Sequence, residues 1–135
     1  MATMLKSADG LSTDALTRAH AIELGLPVKM LRVLMRDGEV SIADLARFLA
    51  PRRTLERRLK DGERLTMEES DRLARFMTIL ELCEYMFGDR HEAMDFLRSK
   101  LPALGEEAPI DFLKTSAGTE AVNNLLQRGL HGMLA

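Results

Sequence analysis

The chain has 135 residues, 46% apolar and 30% charged, with a net charge of −2, one cysteine and no tryptophan. That length allows one domain or two very small ones around a real core, and the near-neutral balance argues against a general polyanion binder. A lone cysteine (Cys83) excludes an internal disulfide framework and a thiolate metal cluster, no run approaches the ~20 apolar residues that span a bilayer, and a soluble cytoplasmic protein is expected.

In chain order, the first ten residues read as a frayed start. Ser12 is the expected N-cap of a helix through Leu24, ended by Gly25. Pro27 opens a second helix over 27–36, closed by Asp37-Gly38. Ser41 with Asp44 makes an approximate capping box before Ile42, Leu45, Ala46 and Leu49, spaced as one face of a short helix, 42–49. Ala50-Pro51 breaks the chain, and a helix over about 52–60 follows, with Leu55 and Leu59 facing inward and Asp61-Gly62 stopping it. Two short helices across a tight turn form the skeleton of a helix-turn-helix.

Thr66 with Glu69 caps a long helix to Phe87, ended by Gly88. From Phe76 onward it carries two apolar stripes, one of Phe76, Met77, Leu80, Cys83 and Phe87, the other of Ile79, Leu82 and Met86. Such a helix must be buried on two sides, one inside the protomer and one free for a partner or second copy. Asp89 with Glu92 opens a helix over 90–100. Pro102, Gly105 and Pro109 punctuate a loop, and Ile110, Phe112 and Leu113 form a short apolar turn. Thr119-Glu120 starts the last helix after Thr115 and Gly118 interrupt. The fold class is therefore all-α, with a helix-turn-helix region over 1–75 joined by the long helix to a small helical region over 76–135.

Charge is unevenly spread. Residues 1–75 hold 14 Lys/Arg against 12 Asp/Glu, residues 76–135 hold 5 against 9, and the window 47–64 holds 7 against 3. With Leu55 and Leu59 buried, Arg53, Thr54, Arg57 and Arg58 point outward from the second helix, where a recognition helix meets base edges and phosphates. Arg52 and Lys60 suit backbone phosphates. Helix-turn-helix folds also serve as pure protein-interaction modules, and an Arg-rich helix face is often only a solvated one. DNA binding would need a dimer, because one such helix covers only a few base pairs. His20, His91 and His131 are isolated and lack zinc-ligand spacing. Cys83 reads as a small core residue, Glu68 and Glu69 as first-turn dipole partners, and the glycines as separate helix stops. No residue set supports an active site, a metal or a cofactor, so a non-enzymatic protein is expected.

Leu104-Gly105, Pro109-Ile110-Asp111-Phe112-Leu113, Thr115, Gly118, Val122 and Leu130 to Gly132 resemble, in order and spacing, the C-terminal domain of the Xre/MbcA/ParS antitoxin family. The segment TLERRLKDGERLTMEESDRLARF resembles that family's helix-turn-helix exit, so the resemblance covers about residues 40–135. It implies an Xre-like DNA-binding part, a homodimer that binds its own promoter, and a RES-domain toxin partner that consumes NAD and is blocked by the C-terminal region. On this chain the implied toxin contacts are Pro109, Asp111, Thr115, Leu130, His131, Gly132, Met133, Leu134 and Ala135, with Leu134, Ala135 and the free carboxylate reaching the toxin's dinucleotide cavity. Pro109 to Thr115 stays open between a structural role and toxin contact. The acidic, apolar C-terminal half suits docking on a basic nucleotide cleft. The alternatives are a stand-alone helix-turn-helix repressor with a C-terminal dimerisation or ligand domain, and an adaptor whose 52–60 helix grips an acidic protein.

Overall fold

Local capping chemistry decides where most helices begin. A computed structural model describes residues 14–134, with the side chains of Met133 and Leu134 outside the description. Helix α1 (Ala15–Leu24) is capped by Asp14, whose carboxylate accepts from the Thr17 hydroxyl at 2.6 Å and the Thr17 backbone N–H at 2.9 Å. Those two bonds hold the Asp14 carboxyl below its ordinary range. The expected cap, Ser12, lies outside the described residues. Helix α2 (Lys29–Leu34) is shorter than the expected 27–36: Pro27 precedes it, and Met35 to Asp37 form a turn.

Helix α3 (Ile42–Ala46) starts in a complete capping box. Ser41 Oγ accepts from Asp44 N at 3.1 Å, and Asp44 Oδ2 accepts from Ser41 N at 2.9 Å. The helix ends before the expected Leu49, because Phe48 N turns to Leu45 O and the backbone tightens into a turn that still buries Phe48 and Leu49. Helix α4 (Arg52–Asp61) follows Pro51 and ends on Gly62 in the left-handed region. Helix α5 (Met67–Phe87) opens on the second capping box, with Thr66 N donating to Glu69 Oε1 at 2.9 Å and Glu69 N to Thr66 Oγ1 at 3.1 Å.

The chain divides into two compact units between Ala74 and Arg75, inside α5. In the first, α2 and α3 pack on α4. Leu31, Leu34, Leu45, Leu49, Leu55 and Leu73 are fully buried there. Two bonds between distant segments close this unit: Leu26 N donates to the buried Ser70 Oγ at 2.8 Å, and Leu65 N donates to Leu26 O at 3.0 Å.

In the second unit, α6 (Arg90–Arg98) is capped by Asp89, which accepts from Glu92 N at 2.8 Å. A short 3-10 turn (Pro102–Leu104) lies inside a loop closed by one antiparallel bridge between Leu101 and Glu107. A second 3-10 segment (Pro109–Lys114) packs against α6 and against α7 (Ser116–Leu134). Met94, Leu97, Ile110, Leu113 and Val122 are fully buried. Helix α7 begins three residues before the expected Thr119. Thr115 caps it by accepting from Gly118 N at 2.9 Å, so Gly118 lies inside the helix rather than interrupting it.

Both apolar stripes of α5 are largely covered: Phe76, Met77, Ile79, Leu80 and Cys83 are buried, and Leu82 and Met86 are half-buried. Tyr85, by contrast, is 74% exposed. Burial first, and Glu84 second, push the Cys83 thiol up to about 12, and only a thiolate attacks efficiently. Native protein at pH 8 is therefore expected to react with an aromatic disulfide reagent at least about 100-fold slower than the denatured chain; comparable rates would contradict this placement.

Candidate functional site

The DNA-contact candidates occupy one helix, and its roll is set by burial. Leu55 is completely buried and Leu59 half-buried. At roughly 100° per residue, Arg53, Arg57 and Lys60 then fall on the side opposite Leu55, and all three are exposed. Arg52 is also exposed, and Thr54 is half-buried at the flank. Arg52 Nε lies 3.3 Å from Glu56 and Arg57 Nε 3.4 Å from Glu63. All four side chains in these pairs are about half exposed, so the pairs are weak and open to exchange for a stronger anion. No side chain caps the first turn of α4, which leaves its N–H groups and partial positive charge without a side-chain acceptor.

Arg58 departs from the outward direction expected for it. Its side chain is 12% exposed and turned to Glu69, with Nε 2.8 Å from Oε1 and Nη2 donating to Oε2 at 3.1 Å. The reason is angular: position 58 lies only about 60° round the helix from Leu55, beside the buried stripe. Other arginines of this unit also serve the fold. Arg32 donates to Leu59 O, Arg64 to Gly25 O at 2.6 Å and Arg72 to Leu49 O at 3.1 Å, satisfying carbonyls at or near helix ends.

The C-terminal candidates are brought together only in part. Pro109 is buried at the start of its 3-10 segment. Asp111 is half-buried. Thr115 is the N-cap of α7, and its backbone carbonyl accepts from Thr119 Oγ1 at 2.8 Å. Pro109 and Thr115 therefore both serve the local fold, Pro109 from within the core and Thr115 from an exposed cap position. Leu130 is half-buried, and His131 and Gly132 are exposed on the last turns of α7. The Met133 and Leu134 side chains and Ala135 lie outside the described residues.

Sequence reasoning missed an apolar groove of about 470 Å³ in this unit, lined by Met86, Phe87, Phe96, Leu101, Leu125 and Gly129 among others. The Phe87 and Phe96 rings stand 4.9 Å apart, centroid to centroid. The second α5 stripe pointed at Met86, but the groove itself depends on α6 and α7 meeting it. His91 is not isolated as expected, since Nε2 lies 3.4 Å from Asp95 on the exposed face of α6, next to Glu92. Among the described residues no helix is long and apolar enough to cross a membrane.

Comparison with known proteins agrees with this division of labour. Residues 17–77 match the antitoxin Xre-like helix-turn-helix domain, and residues 83–132 match the antitoxin Xre/MbcA/ParS C-terminal toxin-binding domain. The first match reaches well upstream of residue 40, where the resemblance was expected to begin, because α1 and α2 belong to the helix-turn-helix unit. Antitoxin Xre of Yersinia enterocolitica is 29% identical over 117 residues, spanning 85% of this chain and 79% of that protein. Antitoxin Xre of Photorhabdus laumondii is 28% identical over 113 residues, spanning 82% and 76%. A helix-turn-helix unit with a basic outer face, followed by a helical toxin-binding unit, makes this chain a non-enzymatic antitoxin of the Xre/MbcA/ParS family.

Proposed function

We propose that this antitoxin neutralises a RES-domain, NAD-consuming toxin by covering its active site with the C-terminal segment, and that as a dimer in the cytoplasm it represses its own promoter. DNA binding is assigned to residues 1–75, and toxin binding with dimerisation to 76–135. The observation that carries the DNA half is the outward face of α4, where Arg53, Arg57 and Lys60 stand opposite buried Leu55 beside an uncapped helix start. Arg52 and Thr54 complete the contact set, and Arg58 leaves it. For the toxin half, support comes from the toxin-binding match, the acidic balance of 76–135 and the exposed end of α7.

Two measurements test this reading. Co-expressed with an active RES-domain toxin, the full chain should restore growth and NAD levels, and a chain lacking residues 131–135 should not; full protection by the truncated chain would sink the occlusion mechanism. On a duplex from upstream of its own coding sequence, Arg53→Ala and Arg57→Ala should each weaken binding by about 1–3 kcal/mol if they read bases. Binding by both variants that is indistinguishable from the unaltered chain would remove α4 as the recognition helix.

A further inference from the structure

Glu69 holds more than its own helix start. Its Oε1 accepts from Thr66 N at 2.9 Å, which fixes the carboxylate on the first turn of α5, where the helix dipole favours negative charge. The same carboxylate holds Arg58 from the neighbouring helix: Oε2 accepts from Nη2 at 3.1 Å, and Oε1 lies 2.8 Å from Nε as an ion contact without hydrogen-bond alignment. The two side chains are 12% and 8% exposed, so this pair is held out of water, unlike the half-exposed pairs of Arg52 and Arg57. Glu63 adds a looser contact, 3.4 Å from Arg58 Nη1 and 3.4 Å from Arg57 Nε. A charge-assisted hydrogen bond backed by a close ion contact, both held out of water, fixes where the guanidinium sits. Buried ion pairs contribute little net stability compared with apolar packing, but their geometry is demanding. Arg58 directly follows Arg57 on the same helix, so anchoring the former sets the direction of the latter.

We propose that Arg58 is a positioning residue: gripped by Glu69, it sets the roll of α4 so that Arg53 and Arg57 face DNA, and does not itself touch the DNA. This rests on the DNA-binding reading above. The opposite role makes opposite predictions, because a DNA-contacting Arg58 competes with Glu69, and removing the carboxylate would free it to bind.

The test uses the full-length chain on the upstream duplex and on a scrambled duplex, at a temperature where melting curves show each variant folded. Glu69→Gln keeps an oxygen for Thr66 N and removes the charge that grips Arg58. It and Arg58→Gln should each weaken binding to the upstream duplex roughly tenfold relative to the scrambled one, since contacts displaced by about 1 Å lose their geometry. The double variant should be no weaker than Arg58→Gln alone. The slope of log affinity against log salt should stay that of the unaltered chain, whereas Arg53→Ala should reduce it by about one. If Arg58→Gln fails to fold, Arg58→Lys replaces it, keeping the charge and losing the guanidinium's planar fit to Glu69. A salt slope reduced by about one in Arg58→Gln, or stronger binding by Glu69→Gln, would make Arg58 a direct contact and overturn the proposal. Unchanged affinity in both single variants would reduce the pair to a stability element and overturn it equally. No binding by the unaltered chain would overturn the DNA reading itself, and this inference with it.

Discussion

Gly25→Ala is expected to destabilise the chain by about 4 kcal/mol, close to the whole stability of many small domains. Gly25 ends α1 with φ +97°, a region that side chains with a Cβ rarely enter. A Cβ there would also sit 2.4 Å from the Leu65 carbonyl oxygen, and that oxygen belongs to a backbone that cannot swing aside. Leu65 is held by its N–H bond to Leu26 O, Leu26 by Ser70, and the Gly25 carbonyl by Arg64. Left-handed strain of ~1–3 kcal/mol and overpacking of ~1–3 kcal/mol therefore act on one knot joining the α1–α2 connection to the start of α5. Denaturant unfolding measures it; a loss under about 1 kcal/mol would show that the two segments do not run this close.

Gly118→Ala should cost about 3 kcal/mol and lower the melting temperature by roughly 10 °C. Here the backbone is ordinary helix, and the cause is purely steric. An added Cβ would stand 2.1 Å from the Phe112 carbonyl oxygen, inside a 3-10 segment pinned by buried Ile110 and Leu113. On bare helix propensity the same substitution would stabilise by ~1 kcal/mol, so the two accounts differ in sign. Gly132→Ala, later on the same helix and with nothing within 4 Å of the added atom, is the matched control and should cause no loss. Equal melting temperatures for Gly118→Ala and Gly132→Ala would refute the close approach of α7 to this segment.

The readings that carried over from sequence to structure share a short range. Ser41 with Asp44, Thr66 with Glu69 and Asp89 with Glu92 each join residues three apart, and all three caps form. Gly25, Gly62 and Gly88 end their helices at positive φ. Helix ends fared worse wherever tertiary packing competed, as at Phe48 and Leu49, whose burial in a turn displaced the last turn of α3. Likewise, Gly118 read as a break because propensity ignores the 3-10 segment that only a glycine can approach.

The chain's own residues determined the all-helical class, the order of its helices and the basic face of α4, since caps, stops and a 3.6-residue period act within about one turn. Its family was legible too, through the ordered spacing from Leu104 to Gly132 that matches the toxin-binding domain. Only the tertiary structure decided which arginines are available. Arg58 and Glu69 are eleven positions apart, and no local period reveals that one consumes the other. The same holds for Pro109, buried by helices on either side of it, and for the groove beside Gly129. A side chain's direction follows from which distant surface excludes water around it, and that surface exists only once the helices have packed.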